Sequence, residues 1–285
     1  MAIAFRKVSV LGTGVLGSQI AFQTAFHGFD VTAYDIDDAA IDAARKRFGV
    51  LAETYQQEVD GADAGNTAAT VDGITLTTEL ATAAEADLII EAVPEVLSIK
   101  RDLYTELGSL APERTVFATN SSTLLPSDIA EYTGRADRFL ALHFANRVWK
   151  YNTAEVMGTQ ETDPAVFAAV VEFASNIGMV PIELHKEKAG YVLNSLLVPF
   201  LNSGIALAAG GYADPPAVDE TWRIATGAPM GPFQILDVVG LTTPYNILRN
   251  GGDNEQQLAD WLKTNYIDKG KLGAATGEGF YRYTD

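Results

Sequence analysis

The stretch Val8–Asp37, VSVLGTGVLGSQIAFQTAFHGFDVTAYDID, decides the fold. It reads as a strand from about Lys7 to Leu11, a glycine turn, a helix from about Leu16 to His27, and a second strand from about Asp30 to Tyr34. Gly12, Gly14 and Gly17 fit the spacing G-x-G-x-x-G. The first glycine permits the turn, the second lets backbone approach a pyrophosphate, and the third lets helix pack on strand. A plain strand-to-helix turn can carry the same glycines, so context must decide. Asp35 supplies it, because it falls at the end of the second strand, where a carboxylate binds ribose hydroxyls. An acid there repels a 2′-phosphate, which favours NAD over NADP. Asp37 is an alternative ribose partner, or the N-cap of the helix beginning DDAAIDAA.

Outward from this unit, the apolar runs GITL, ADLIIEAV, RTVFATN and FLALHFAN alternate with helical stretches such as Ser98 to Leu110. That alternation predicts an α/β domain with a doubly wound, mainly parallel sheet, the Rossmann arrangement, over residues 1–184. Strand signals vanish from Glu187 onward, and AGYVLNSLLVPFLNSGIALAAG opens a series of helices broken at Gly and Pro. Residues 185–285 therefore read as an all-helical C-terminal domain. The Ala/Gly/Asp stretch Gly61 to Ala69 reads as a loop.

Composition narrows the chemistry. There is no cysteine, which excludes disulfides and thiolate chemistry, and three histidines leave little for a metal cluster, so no metal is expected. The formal charge of −17 opposes nucleic acid, whose phosphates need clustered Lys and Arg; the short basic run is Arg45-Lys46-Arg47. No apolar run approaches a membrane span, and the opening MAIAFRKVSV lacks signal-peptide architecture, so the expectation is a cytoplasmic protein with no membrane partner.

Three stretches place polar residues near element ends: FATNSSTLLPSDIA with Ser122, LHFANRVWKYNTAEVM with His143 and Glu155, and KAGYVLNSLLVPFLN with Asn194. Taken singly, each has an ordinary structural reading, such as a core histidine, a surface acid or a helix cap. With the glycine fingerprint, TGAPMGPFQILDVVGL from Thr226 to Leu241 and the tail KLGAATGEGFYRY, they make nearly the whole chain resemble the 3-hydroxyacyl-CoA dehydrogenase family. The resemblance implies NAD as cofactor, a cleft between the two domains, and a C-terminal domain that forms a homodimer. It implies His143 and Glu155 as the catalytic pair, with Ser122 and Asn194 at the substrate oxygen. Physically, an imidazole can take the hydroxyl proton as hydride leaves, and a carboxylate on its other nitrogen fixes the tautomer. The cofactor set is then Gly12, Gly14, Gly17, Val15, Leu16, Asp35 and Asn120, with Glu95 and Lys100 of EAVPEVLSIK near the cofactor and Lys100 on its nicotinamide side.

Two stretches depart from the family pattern. After His143-Phe144 the usual Asn-Pro run is replaced by ANRVWKYNTAE, bringing Arg147, Trp149, Lys150 and Asn152 close to the catalytic histidine in sequence. Where the family tends to carry basic residues for the CoA phosphates, LAETYQQEVDGADAG holds Glu53, Glu58, Asp60 and Asp63, and no Lys or Arg lies between Arg47 and Lys100. The leading expectation is interconversion of a short L-3-hydroxyacyl-CoA and its 3-oxoacyl-CoA. The alternatives are a dehydrogenase of a small non-CoA 3-hydroxy acid, such as a sugar acid or a carnitine-like alcohol, whose carboxylate Arg147 and Lys150 would hold, and a non-catalytic NAD-binding protein.

Overall fold

Among the described residues, 3–283 of a computed structural model, eight strands form one sheet in the order β3-β2-β1-β4-β5-β6-β7-β8. They are β1 Lys7–Leu11, β2 Asp30–Tyr34, β3 Thr75–Thr77, β4 Leu88–Glu91, β5 Val116–Thr119, β6 Phe139–Phe144, β7 Thr153–Gly158 and β8 Val180–Leu184. Neighbours are parallel except β6 and β7, which run antiparallel. The chain reverses its direction of sheet growth between β1 and β4, and such a switch point is where open α/β sheets bind ligands. This is the Rossmann arrangement expected from the sequence.

The central strands are buried along their whole length, as LIIE, VFAT and FLALHF require when helices cover both faces. One face packs Val10, Phe22, Leu88, Ile90 and Leu142; the other packs Leu11, Ile89, Tyr104, Phe117 and Phe139. Truncating a ring such as Phe117 to alanine costs about 3–5 kcal/mol in sites of this kind.

Contact density divides the chain into two units, Met1–Val192 and Leu193–Asp285. The second unit carries the helices Leu193–Ala209, Pro215–Thr226, Pro232–Val239, Thr242–Leu248 and Asp253–Asn265 around Leu201, Ile205, Phe233, Leu236 and Leu262. Two buried carboxylates organise it. Asp219 accepts from the backbone N–H of Phe233 and Gln234 and from the Tyr281 hydroxyl; Asp237 accepts from the N–H of Phe280 and Tyr281 and from the Tyr283 hydroxyl. The C-terminal tail is thereby tied to the helices. No helix is long and apolar enough to cross a membrane, among the described residues.

One local expectation is corrected. Gly61 to Ala69, expected to be a loop, runs into the helix Ala64–Gly73, started by a capping box between Asp63 and Asn66. Asp63 Oδ1 accepts from the N–H of Gly65 and Asn66, and Asn66 Oδ1 accepts from the N–H of Asp63, satisfying the donors that a helix start leaves open.

Candidate active site

The glycine turn ends β1 and starts the helix Val15–Phe26. Gly12 has φ +92°, and a Cβ on it would lie 2.6 Å from the Ala92 carbonyl oxygen. A Cβ on Gly17 would lie 1.8 Å from the Gly12 carbonyl oxygen, so neither position accepts a side chain. At Gly14 a Cβ would meet nothing within 4 Å. That open ground lies at a helix start with no side-chain cap, where N–H groups and the helix dipole favour an anion such as a pyrophosphate. Val15 and Leu16 are the first two residues of this helix.

Asp35 follows β2 and faces the same turn. Its Oδ2 accepts from Thr13 N (2.8 Å) and Thr13 Oγ1 (2.7 Å), and its Oδ1 from Ile36 N (2.9 Å). Arg47 donates to the Thr13 carbonyl (3.0 Å). Asp37, the alternative ribose partner, caps the helix Asp38–Glu58 through Ala40 N (2.8 Å). The residues present therefore fit NAD: an open, donor-rich turn followed by a carboxylate at ribose distance in sequence.

Strand register creates the second cluster. His143 on β6 and Glu155 on β7 are paired directly across the antiparallel ladder. Both are buried, at 4% and 3% exposure, and His143 Nδ1 lies 3.0 Å from Glu155 Oε2. The other ring nitrogen, Nε2, lies 3.1 Å from Ser122 Oγ, in the loop after β5. Glu155 Oε1 accepts from Val192 N (2.9 Å). An imidazole held between a carboxylate and a hydroxyl can pass a proton at Nε2 while its Nδ1 side stays fixed. Asn194 is the second residue of the helix Leu193–Ala209 and belongs to the second unit.

A third cluster supports the second. Glu95 Oε1 accepts from Ser121 Oγ (2.6 Å), Ser122 N (3.0 Å), Thr123 N (2.8 Å) and Thr123 Oγ1 (2.8 Å), so it anchors the loop that carries Ser122. Desolvation raises its carboxyl, but these donors and the Lys100 charge outweigh it and bring the pKa down to about 2. Lys100, expected beside the nicotinamide, has its ammonium almost wholly buried instead, 2.6 Å from Glu91 Oε1 and 3.3 Å from Glu95 Oε2. Asn120 Oδ1 accepts from Phe144 N (2.9 Å), joining the ends of β5 and β6.

Sequence reasoning missed two members. Glu91, at the end of β4, is fully buried and accepts from Lys100, from Thr119 Oγ1 (2.7 Å) and from Val93 N (2.9 Å). Burial pushes its carboxyl up, while Lys100 and these hydrogen bonds pull the other way. An acid inside an apolar strand, LIIEAV, is itself the signal, since a buried carboxylate needs a partner. The other is Tyr191, whose ring stacks on His143 at 4.4 Å between centroids and 9° between planes.

The departures from the family pattern resolve into a structural pair. Arg147, expected to hold a substrate carboxylate, places its guanidinium on both oxygens of Glu58 at 2.8 Å, and Trp149 Nε1 donates to the same carboxylate at 2.9 Å. The Arg147 backbone, at φ +61°, donates to Gln19 Oε1 (2.7 Å). Asn152 Nδ2 donates to the Gly178 carbonyl. Of the four acids expected to repel a CoA phosphate, Glu58 is thus paired and Asp63 is a helix cap.

Known proteins resemble this chain along nearly its whole length. Residues 7–188 match the family model described as 3-hydroxyacyl-CoA dehydrogenase, NAD binding domain, and residues 190–283 match the C-terminal domain of the same family. The rat mitochondrial hydroxyacyl-coenzyme A dehydrogenase is 32% identical over 99% of this chain and 92% of its own length. A probable 3-hydroxybutyryl-CoA dehydrogenase of Deinococcus radiodurans is 31% identical over 97% of this chain and its full length. A solved diketoreductase, described as performing substrate-directed dual catalysis of dicarbonyl compounds, is 66% identical with a TM-score of 0.96, covering 98% of this chain and 99% of the other.

Proposed function

Because the chain belongs to the 3-hydroxyacyl-CoA dehydrogenase family of NAD-dependent oxidoreductases, we propose that it interconverts a 3-hydroxy and a 3-oxo carbonyl compound of short chain, with His143 as general base. The observation that carries this reading is the line from Ser122 Oγ through His143 to Glu155. NAD, when bound, supplies the hydride acceptor. Gly12, Gly14 and Gly17 with the helix start at Val15 and Leu16 would hold its pyrophosphate, and Asp35 its ribose. As the C3–H hydride leaves, the hydroxyl proton moves to His143 Nε2 and the new C=O forms. In the reverse direction the same proton returns to the alkoxide. Glu155 holds the Nδ1 proton and stabilises the imidazolium without itself being protonated. Ser122 directs the substrate oxygen, and Glu95, paired with Lys100, keeps the Ser122 loop in place.

A second reading concerns the acyl carrier: the substrate is a small dicarbonyl or hydroxy ester without CoA. The diketoreductase likeness favours it, as does the absence of any Lys or Arg between Arg47 and Lys100. We also propose that the second unit forms a homodimer, which is supported by the exposed Leu196, Tyr212, Ile224 and Val238. The test is an NADH-coupled panel of (S)-3-hydroxybutyryl-CoA, ethyl 3-hydroxybutyrate, free 3-hydroxybutyrate and their oxo forms. Turnover of the thioester alone supports a CoA enzyme, and turnover of the ester alone supports the second reading. NAD binding with no turnover anywhere sinks the catalytic assignment.

A further inference from the structure

The two consecutive residues Tyr191 and Val192 bear on one face of the His143 imidazole and on the partners of both its ring nitrogens. The Tyr191 ring covers its face at 4.4 Å and 9°. The Tyr191 hydroxyl donates to the Ser121 carbonyl at 2.8 Å, next to Ser122, whose Oγ meets His143 Nε2. Val192 N donates to Glu155 Oε1, whose other oxygen meets His143 Nδ1. The backbone turns sharply to make this possible: Gly190 has φ +80° and Tyr191 φ +51°, and Tyr191 N donates to the Lys188 carbonyl at 3.0 Å. A residue with a Cβ disfavours that left-handed conformation, and backbone strain of this kind is kept where the surroundings over-determine it and gathers at functional sites. An aromatic ring that only fills space needs neither the turn nor the hydroxyl contact.

We propose that Tyr191 is a positioning residue of the reaction, fixing the tilt of the His143 imidazole with its ring and the place of the Ser122 loop with its hydroxyl. This rests on the reading of His143 as the base. Two in-plane contacts, to Glu155 at Nδ1 and to Ser122 at Nε2, fix the direction of the ring but leave it free to rock about the line joining the two nitrogens. A stacked ring removes that freedom, so the Nε2 lone pair keeps one aim. The electron-rich face of a phenol also favours the cationic imidazolium formed as the alcohol proton arrives. Burial, with the carboxylates of Glu155, Glu95 and Glu91 nearby, pushes the Tyr191 hydroxyl well above the usual phenol range, so it stays a proton donor to Ser121 at every working pH.

The test compares Tyr191→Phe, Tyr191→Leu and His143→Gln with the wild-type chain in alcohol oxidation, using whichever of (S)-3-hydroxybutyryl-CoA and ethyl 3-hydroxybutyrate the wild type oxidises. Tyr191→Phe keeps the stack and loses the hydrogen bond, so kcat falls about fivefold, the worth of one ordinary hydrogen bond, with unchanged NADH affinity by fluorescence titration. Tyr191→Leu loses the stack as well: kcat falls further, and the acid limb of the kcat/KM profile moves to lower pH because the imidazolium has lost a neighbour. A merely structural role would lower melting temperature and NADH affinity without moving that limb. A Tyr191→Phe enzyme within twofold of wild-type kcat, while His143→Gln has lost at least a hundredfold, overturns the inference and leaves the base assignment standing. A His143→Gln enzyme near wild-type rate overturns the base assignment itself.

Discussion

His143 and Glu155 face each other across the antiparallel β6–β7 pair, so strand register, and no loop, sets their 3.0 Å contact. A one-residue slip of either strand would turn its member of the pair to the opposite face of the sheet and separate the two. The pair is therefore rigid by construction, as the proposed proton transfer needs.

His143→Gln should lower kcat by about 10² to 10⁴-fold with little change in NAD affinity, because glutamine cannot take the proton at working pH. Glu155→Gln should lose between about tenfold and the ~10⁴-fold typical of a neutralised triad acid. Stopped-flow rates beside NADH titrations check both, and near wild-type turnover in either variant removes that residue from the mechanism.

Asp35→Ala should weaken NAD binding and narrow the preference over NADP. Asp35 also holds Thr13 through two hydrogen bonds, so the glycine turn itself should loosen. Asp35→Asn separates the effects: it removes the charge that repels a 2′-phosphate and keeps an acceptor for Thr13. Direct titration with NAD and NADP is the measurement, and unchanged preference in both variants sinks the assignment.

Glu95 gives a pH prediction. Its carboxyl is depressed to about 2 in the folded chain, so between that value and the ordinary ~4.5 the unfolded chain binds the extra proton. Stability from this group is fully present above ~4.5 and is lost as pH falls toward 2. Urea unfolding between pH 2 and 5 should show a rise in stability with pH in the wild type that is smaller in Glu95→Gln. Parallel curves would remove Glu95 as the anchor of the Ser122 loop.

Much of this was legible in the sequence because it is local. The glycine turn, β1, β2 and the carboxylate of Asp35 all lie within one short stretch, where spacing alone places a helix start beside a strand end. His143, Glu155 and Ser122 emerged only as an ordered set within a resemblance, since each alone reads as ordinary. What stayed hidden depends on distant partners. The Arg147–Glu58 pair joins the helix Asp38–Glu58 to the loop after β6, and nothing local announces that an exposed-looking arginine is engaged. Tyr191 stacks on a histidine far upstream through a backbone turn that no propensity suggests. The helix Ala64–Gly73 was masked by small residues, although the Asp63 and Asn66 of its capping box stood in the sequence.

The second unit should self-associate. Leu196, Tyr212, Ile224 and Val238 are exposed on a unit of fewer than 100 residues whose own core rests on Leu201, Ile205, Phe233 and Leu236. Light scattering at micromolar concentration should give twice the chain mass of 30.5 kDa, and Ile224→Glu should shift it toward monomer. A wild-type monomer ends the proposal.

The carrier of the acyl group is the sharpest open choice, and Glu58 bears on it. The four acids from Glu53 to Asp63 suggested repulsion of a CoA phosphate, but Glu58 is bound by Arg147 and Trp149, and Asp63 caps a helix. The hydrogen bonds from Trp149 and Arg147 hold the Glu58 carboxyl below its ordinary range, so it stays ionised and keeps Arg147 engaged. Two expectations follow. Arg147→Ala should lower melting temperature while leaving KM for free 3-hydroxybutyrate nearly unchanged, because the guanidinium serves the fold. A CoA thioester and its pantetheine analogue should differ in kcat/KM by less than about tenfold, since no basic residue stands between Arg47 and Lys100 to hold a 3′-phosphate. Remote binding energy of that kind would show as a lower KM for CoA at equal kcat. A loss above about a hundredfold on truncation, ~2.7 kcal/mol, would reveal a phosphate site built from other residues and return the enzyme to CoA thioesters.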